Sequence, residues 1–153
     1  MMYIGNRSGG PGAGDYLTWA AVATLIAVIM LRDWVRTRGL RRSMPEMGLA
    51  YTGAMLPASF PWVATSVLRA RLIYNAYVGD RDGREVVLFD CKFGWGRSSY
   101  RQTVVAVHGS QNCFGAERFD ISLVTERASD WTLIFRPRRL LPLEEVQALV
   151  SNI

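Results

Sequence analysis

The chain has 153 residues, of which half are hydrophobic and one fifth are charged, and it carries a formal net charge of +5. That length holds one small domain beside a separate apolar segment. Its two cysteines, Cys91 and Cys113, form no CxxC pair and read as free thiols rather than as a disulfide or a metal site.

Residues 1–14 form a Gly-rich tail containing SGGPGAG, Ser8 to Gly14. No strand precedes those glycines, so they do not read as a phosphate-binding loop. Residues 15–35 read as a transmembrane helix. Its centre, Tyr16 to Leu31, is YLTWAAVATLIAVIML and carries no charge. As a helix, those residues span about 24 Å against a hydrocarbon core of roughly 30 Å. Trp34 and Val35 add apolar length, and Arg32 can extend its stem to the headgroups. The run is apolar on all faces, unlike an amphipathic helix packed on a soluble core. A long, weakly basic stretch precedes it and no small-residue cleavage site follows, so it reads as an uncleaved anchor rather than a signal peptide.

Charge then gives direction. Residues 1–31 hold Arg7 and Asp15; residues 32–42 hold five arginines against Asp33; residues 43–153 are close to balanced, with 12 basic and 11 acidic side chains. The positive-inside rule therefore predicts a single-pass protein of the cell inner membrane, with a periplasmic N-terminus and a cytoplasmic C-terminal domain. The same distribution argues against nucleic acid as a partner, since the remaining chain has almost no basic excess. Trp19, Arg32, Trp34, Arg36, Arg38, Arg41 and Arg42 are the expected membrane and anionic-lipid contacts. Ala20, Ala23 and Ala27 share one helical face, where small side chains let a neighbouring helix approach closely.

Residues 36–71 read as a basic juxtamembrane stretch followed by an irregular apolar segment. Met47 to Leu68 is uncharged, but Pro57 and Pro61 interrupt any helix and Arg69 and Arg71 lie beyond it. A second span is therefore not expected. A short helix and irregular stretch against the membrane or a partner is, with Trp62 a candidate partner contact.

Residues 72–153 read as a small β-rich domain. LIYNAYVG, REVVLFDCKF, YRQTVVAVH, RFDISLV and WTLIF carry the β-branched and aromatic residues of strands. Alternation predicts Val87, Phe89, Cys91 and Phe93 on one buried face, and Phe119, Ile121 and Leu123 on another, with Asp120 and Ser122 in solvent. Asp80-Arg81-Asp82-Gly83 reads as a hairpin turn; its resemblance to a calcium loop ends at the twelfth position, which is Cys91. Pro142, Glu144 and Glu145 open a closing helix with an apolar stripe of Leu143, Val146, Leu149, Val150 and Ile153. The expected fold is a membrane-anchored α+β chain: one N-terminal transmembrane helix, then an antiparallel β meander of about five strands with a C-terminal helix.

No grouping of nucleophile, base and acid is present, so no catalytic residue, cofactor or metal site is expected, and the chain does not read as an enzyme. The lone His108 reads as a hydrogen-bonded strand-end side chain, and Asp90 and Glu85 as strand-surface charges. Arg136, Arg138 and Arg139 form a second basic cluster, and Trp95 stands between two glycines on a loop. Both are candidate partner contacts. The stretch Asp82 to Val107, DGREVVLFDCKFGWGRSSYRQTVVAV, and the closing RPRRLLP-x-EE pattern resemble a set of uncharacterised bacterial single-span membrane proteins with a small strand-rich cytoplasmic domain. Cys91 and Arg101 depart from the usual aromatic and serine of that set. The resemblance implies the architecture and no activity.

The resulting expectation is a non-catalytic accessory subunit of a larger inner-membrane complex, of an energy-transducing (photosynthetic or respiratory) kind. Its partners would be other integral membrane subunits and anionic lipids. The alternative is a free-standing membrane-anchored module that binds lipid or peptide, followed by a membrane-anchored enzyme.

Overall fold

The computed structural model describes residues 12–109 and 122–153. The expected burial of Phe119 and Ile121, the thiol of Cys113 and most of the Gly-rich tail lie outside those residues. The chain is α+β: a long helix α1 (Ala13–Glu46), a six-stranded antiparallel sheet, and a closing helix α2 (Leu143–Ser151). It divides into two compact units, residues 1–36 and residues 37–153.

In the first unit α1 is apolar on every side, as the sequence predicts. Thr18 and Thr24 donate their hydroxyls to the carbonyls of Gly14 and Ala20, four residues back, at 2.9 and 2.8 Å. That satisfies both hydroxyls within the helix itself. The segment is long and apolar enough to cross a bilayer, and none of it is buried against protein.

The second unit begins earlier than residue 72. The last turns of α1 belong to it, with Leu40, Ser43 and Met44 buried. The strands are β1 (Leu49–Gly53), β2 (Leu72–Arg81), β3 (Arg84–Phe93), β4 (Tyr100–His108), β5 (Val124–Ala128) and β6 (Trp131–Phe135). Their spatial order is β1-β2-β3-β4-β6-β5, every neighbour antiparallel. The meander therefore covers only β1 to β4. The β5–β6 hairpin then sits so that β6, buried at all five positions, is inside, and the more polar β5 is the edge.

Both faces of this sheet are apolar, which alternation along one face does not anticipate. On one face Tyr77, Val86, Leu88, Val105 and Val107 pack against Leu40 and Met44 of α1 and Val146, Leu149 and Val150 of α2. On the other face Val87, Phe89, Cys91, Val104, Ala106 and Leu133 pack against Phe60 and Val67. Those two come from the uncharged segment expected to face membrane or partner. That segment instead supplies edge strand β1 and two short 3-10 turns (Trp62–Ala64 and Ser66–Arg69) laid across its own sheet. The Phe60 ring meets Trp131 and Phe89 edge-on at 5.3 and 5.7 Å, and the Trp131 indole donates to the Ser59 carbonyl at 2.9 Å. Prolines stop a helix here, as read; Leu49, Phe60 and Val67 serve the protein's own core, while Met55, Val63 and Leu68 stay exposed.

Two local devices set the register. Asp82 and Gly83, both with positive φ, make the two-residue β2–β3 turn, and the Asp80 carboxylate accepts from the Gly83 N–H at 3.0 Å. In β2 a bulge puts Asn75 at φ 51°, a conformation asparagine tolerates better than most residues. Its amide then reaches the Asp90 carboxylate at 3.2 Å and the Thr37 hydroxyl at 3.4 Å. Asp90 is not the surface charge expected. It is 1% exposed and also accepts from the Thr103 hydroxyl at 2.7 Å. Burial of a carboxylate is tolerable only with such donors.

Gly79 tests the seating of β1. A Cβ there would fall 2.2 Å from the Gly48 carbonyl oxygen, a backbone atom that cannot rotate away. Gly79→Ala should push β1 off β2 and cost about 2 kcal/mol or more, read as a lower denaturation midpoint together with faster amide exchange in residues 49–53.

Candidate interaction surfaces

The first surface is the apolar length of α1. Trp19, Ala20, Ala23, Ala27, Arg32 and Trp34 are all exposed on it. Ala20, Ala23 and Ala27 fall along one face of a regular helix, so they form one contiguous strip of small side chains.

The arginines that follow do not form one uniform collar. Arg36 closes the first unit, and Arg38, Arg41 and Arg42 ride on the part of α1 that belongs to the second. The outward side of those turns is set by Leu40 and Met44, which take the inward side. Arg41 is used structurally as well. Its guanidinium lies 4.8 Å from the centre of the Tyr51 ring and reaches the Tyr51 hydroxyl at 3.5 Å, tying α1 to edge strand β1.

Trp62 is partly buried against its own sheet, beside Phe60 at 6.5 Å. Trp95 remains 68% exposed, and the Arg71 guanidinium lies over its ring. The loop carrying Trp95 is held by the carbonyls of Trp95 and Gly96, which accept from the Ser98 and Ser99 hydroxyls at 3.0 and 2.8 Å. The indole is thus a shaped protrusion.

The Arg136, Arg138 and Arg139 cluster separates into different roles. Arg136 is mostly buried; it pairs with Glu145 at 3.2 Å and donates to the Ser122 hydroxyl at 2.7 Å. With Pro137 and Arg139 these residues line a shallow cleft at the start of α2. Arg138 adopts φ 60°, its N–H donates to Gln102 at 3.2 Å, and its guanidinium lies 5.5 Å from the Tyr100 ring centre. The Arg139 carbonyl accepts from the Thr103 N–H at 3.3 Å. The backbone here is a fixed corner between β6 and α2, with Arg138 and Arg139 exposed.

Among the described residues, no three His, Cys, Asp or Glu side chains come together in a metal-binding group. His108 rests against Trp131, 5.1 Å between ring centres. Cys91 is fully buried, and its thiol donates to the Gln102 carbonyl at 3.4 Å. Burial first, and then the neighbouring Asp90 carboxylate, push this thiol up to about 12 from the ordinary 9.0. The thiolate is the reactive form, so Cys91 is an inert core side chain.

In a Cys113→Ser background, Cys91 should therefore resist iodoacetamide at pH 8 while the protein is folded and react once it is denatured. Between pH 9 and 12 the folded chain holds this proton and the unfolded chain releases it. The associated stability is complete below pH 9 and is lost as pH rises towards 12. The denaturation midpoint should accordingly fall more steeply above pH 9 than it does in the Cys91→Ser protein.

No protein-family pattern matches this chain, no curated protein matches its sequence, and no solved structure matches it.

Proposed function

We propose that this chain is a single-span, non-catalytic accessory subunit of a larger inner-membrane complex. The apolar length of α1 crosses the bilayer with the N-terminus in the periplasm. The arginine-flanked second unit braces the cytoplasmic face of the complex, which is of an energy-transducing kind. The observation that carries this reading is the 16-residue run Tyr16 to Leu31, uncharged and uncovered on all sides. Water would make that surface prohibitively unfavourable; lipid and neighbouring transmembrane helices would not.

Two further observations support an assembly role. Thr18 and Thr24 have their hydroxyls bonded to the helix's own carbonyls, so the run presents little unsatisfied polarity to lipid. The strip Ala20, Ala23 and Ala27 offers the kind of small-residue surface along which transmembrane helices pack closely. The exposed Arg138 and Arg139 would supply contacts outside the bilayer.

The test is native purification from membranes in mild detergent. The wild type should co-migrate with partner proteins in fixed ratio. Ala23→Leu combined with Ala27→Leu keeps hydrophobicity and insertion but blocks close approach, so recovery with the partners should fall several-fold while membrane content stays constant. Val28→Ala, on a different face, should matter less. A wild-type protein that purifies alone would end the accessory-subunit reading.

A further inference from the structure

The second unit is net positive, with 15 basic and 11 acidic side chains in residues 37–153, and that charge is unevenly placed. The strand register gathers cations at one end of the sheet. Lys92 pairs with Leu72 and with Arg101, and Phe93 pairs with Tyr100. The Arg71 N–H donates to the Lys92 carbonyl at 2.8 Å, and its guanidinium covers Trp95. Arg69 ends the 3-10 turn just before, Arg97 lies in the turn joining β3 to β4, and Arg138 lies over Tyr100. Among the described residues, the carboxylates nearby are occupied or displaced from this end. Asp90 is buried, Glu126 accepts from the Ser66 N–H and hydroxyl, and Glu145 pairs with Arg136, while Glu144 stands beside Glu145 in the first turn of α2. The opposite end carries Asp80, Asp82 and Glu85 at the β2–β3 turn and Asp130 at the β5–β6 turn, with Arg81 and Arg84 among them.

Exposed apolar side chains share the basic end. Trp95 is 68% exposed, Leu72 53% and Leu68 47%. The chain also enters the unit on this side. The Thr37 hydroxyl is bonded to Asn75, which holds Asp90, one pair in from Lys92 along the same face of β3. From there α1 runs on towards Gly48, whose carbonyl lies beside Gly79 next to the acidic turn.

We propose that the basic end, formed by Arg69, Arg71, Lys92, Arg97 and Trp95, docks on anionic phospholipid headgroups. This rests on the spanning reading of residues 16–31. Only residues 32–36 then separate the bilayer from Thr37, so headgroups are present near this unit at a high effective concentration. Arginines with an aromatic ring and flanking aliphatic side chains fit the headgroup layer chemically: the cations meet phosphate, and the indole and leucines take the boundary with the acyl chains.

The test uses the full chain in lipid nanodiscs, either neutral phosphatidylcholine or enriched in phosphatidylglycerol, with amide exchange read by mass spectrometry. Exchange in residues 66–72 and 92–101 should be slower in anionic discs, the 80–85 turn should not change, and high salt should remove the difference. Each cation contributes roughly fivefold to partitioning, so Arg69→Gln with Arg97→Gln should shift the docked-to-free ratio about 25-fold. A thermal melt in neutral discs equal to wild type confirms that this variant is folded. Equal exchange in both lipids, or protection that the double variant leaves intact, overturns the proposal. Protection that appears only with a co-purifying protein assigns the surface to an acidic protein instead. A chain that fails to incorporate into discs at all overturns the spanning reading, and the docking inference with it.

Discussion

Apolar surface must be covered, and the sheet at the heart of the second unit is apolar on both faces. One face consumes the last turns of α1 and the whole apolar stripe of α2; the other consumes the segment around Phe60 and Val67. Each layer has its partner within residues 37–153. The apolar length of α1 has none, and that imbalance is the fact from which the functional reading grows. That length is long and apolar enough to cross a bilayer.

Charge is arranged in the same spirit. Five arginines between residues 32 and 42 follow the apolar run directly, and the second unit is itself polarised along its strands. The acidic side chains Asp80, Asp82 and Glu85, interleaved with Arg81 and Arg84, lie at the other end of the strands from Arg69, Arg71, Lys92 and Arg97. Several arginines also have structural duties. Arg41 ties α1 to Tyr51 and Arg136 is held by Glu145, so neither is a simple probe of lipid contact.

Much of the fold is legible in the residues. REVVLFDCKF, YRQTVVAVH and WTLIF coincide with β3, β4 and β6, since β-branched and aromatic runs bounded by Gly and Asp leave little choice. The α2 stripe is legible for the same reason at helical period. Strand β1 escapes because LAYTG lies inside a long uncharged stretch whose prolines dominate the reading; its signal is the flanking pair Gly48 and Gly53. The second apolar face escapes because alternation follows Val87, Phe89 and Cys91, while Val86 and Leu88 are equally apolar, the mark of a strand buried on both sides. The inside position of β6 depends on the β5–β6 hairpin packing one way round, which only the contrast between WTLIF and VTERA betrays. Among the candidate contacts, Trp95 and the alanine strip keep the exposure their sequence context implies, whereas Trp62 turns inward. The basic end was invisible in one dimension because Arg69, Lys92, Arg101 and Arg138 come from four separate stretches brought together by register.

The measurement that bears most directly on this account is protease accessibility on the two sides of the membrane. If residues 16–31 span the bilayer and the arginines face the cytoplasm, protease added to intact spheroplasts leaves residues 37–153 whole, and protease added to inverted vesicles cuts them at exposed arginines such as Arg97. Cleavage of that unit in intact spheroplasts would contradict the orientation. Release of the uncut chain into the soluble fraction by alkaline extraction would contradict the span itself.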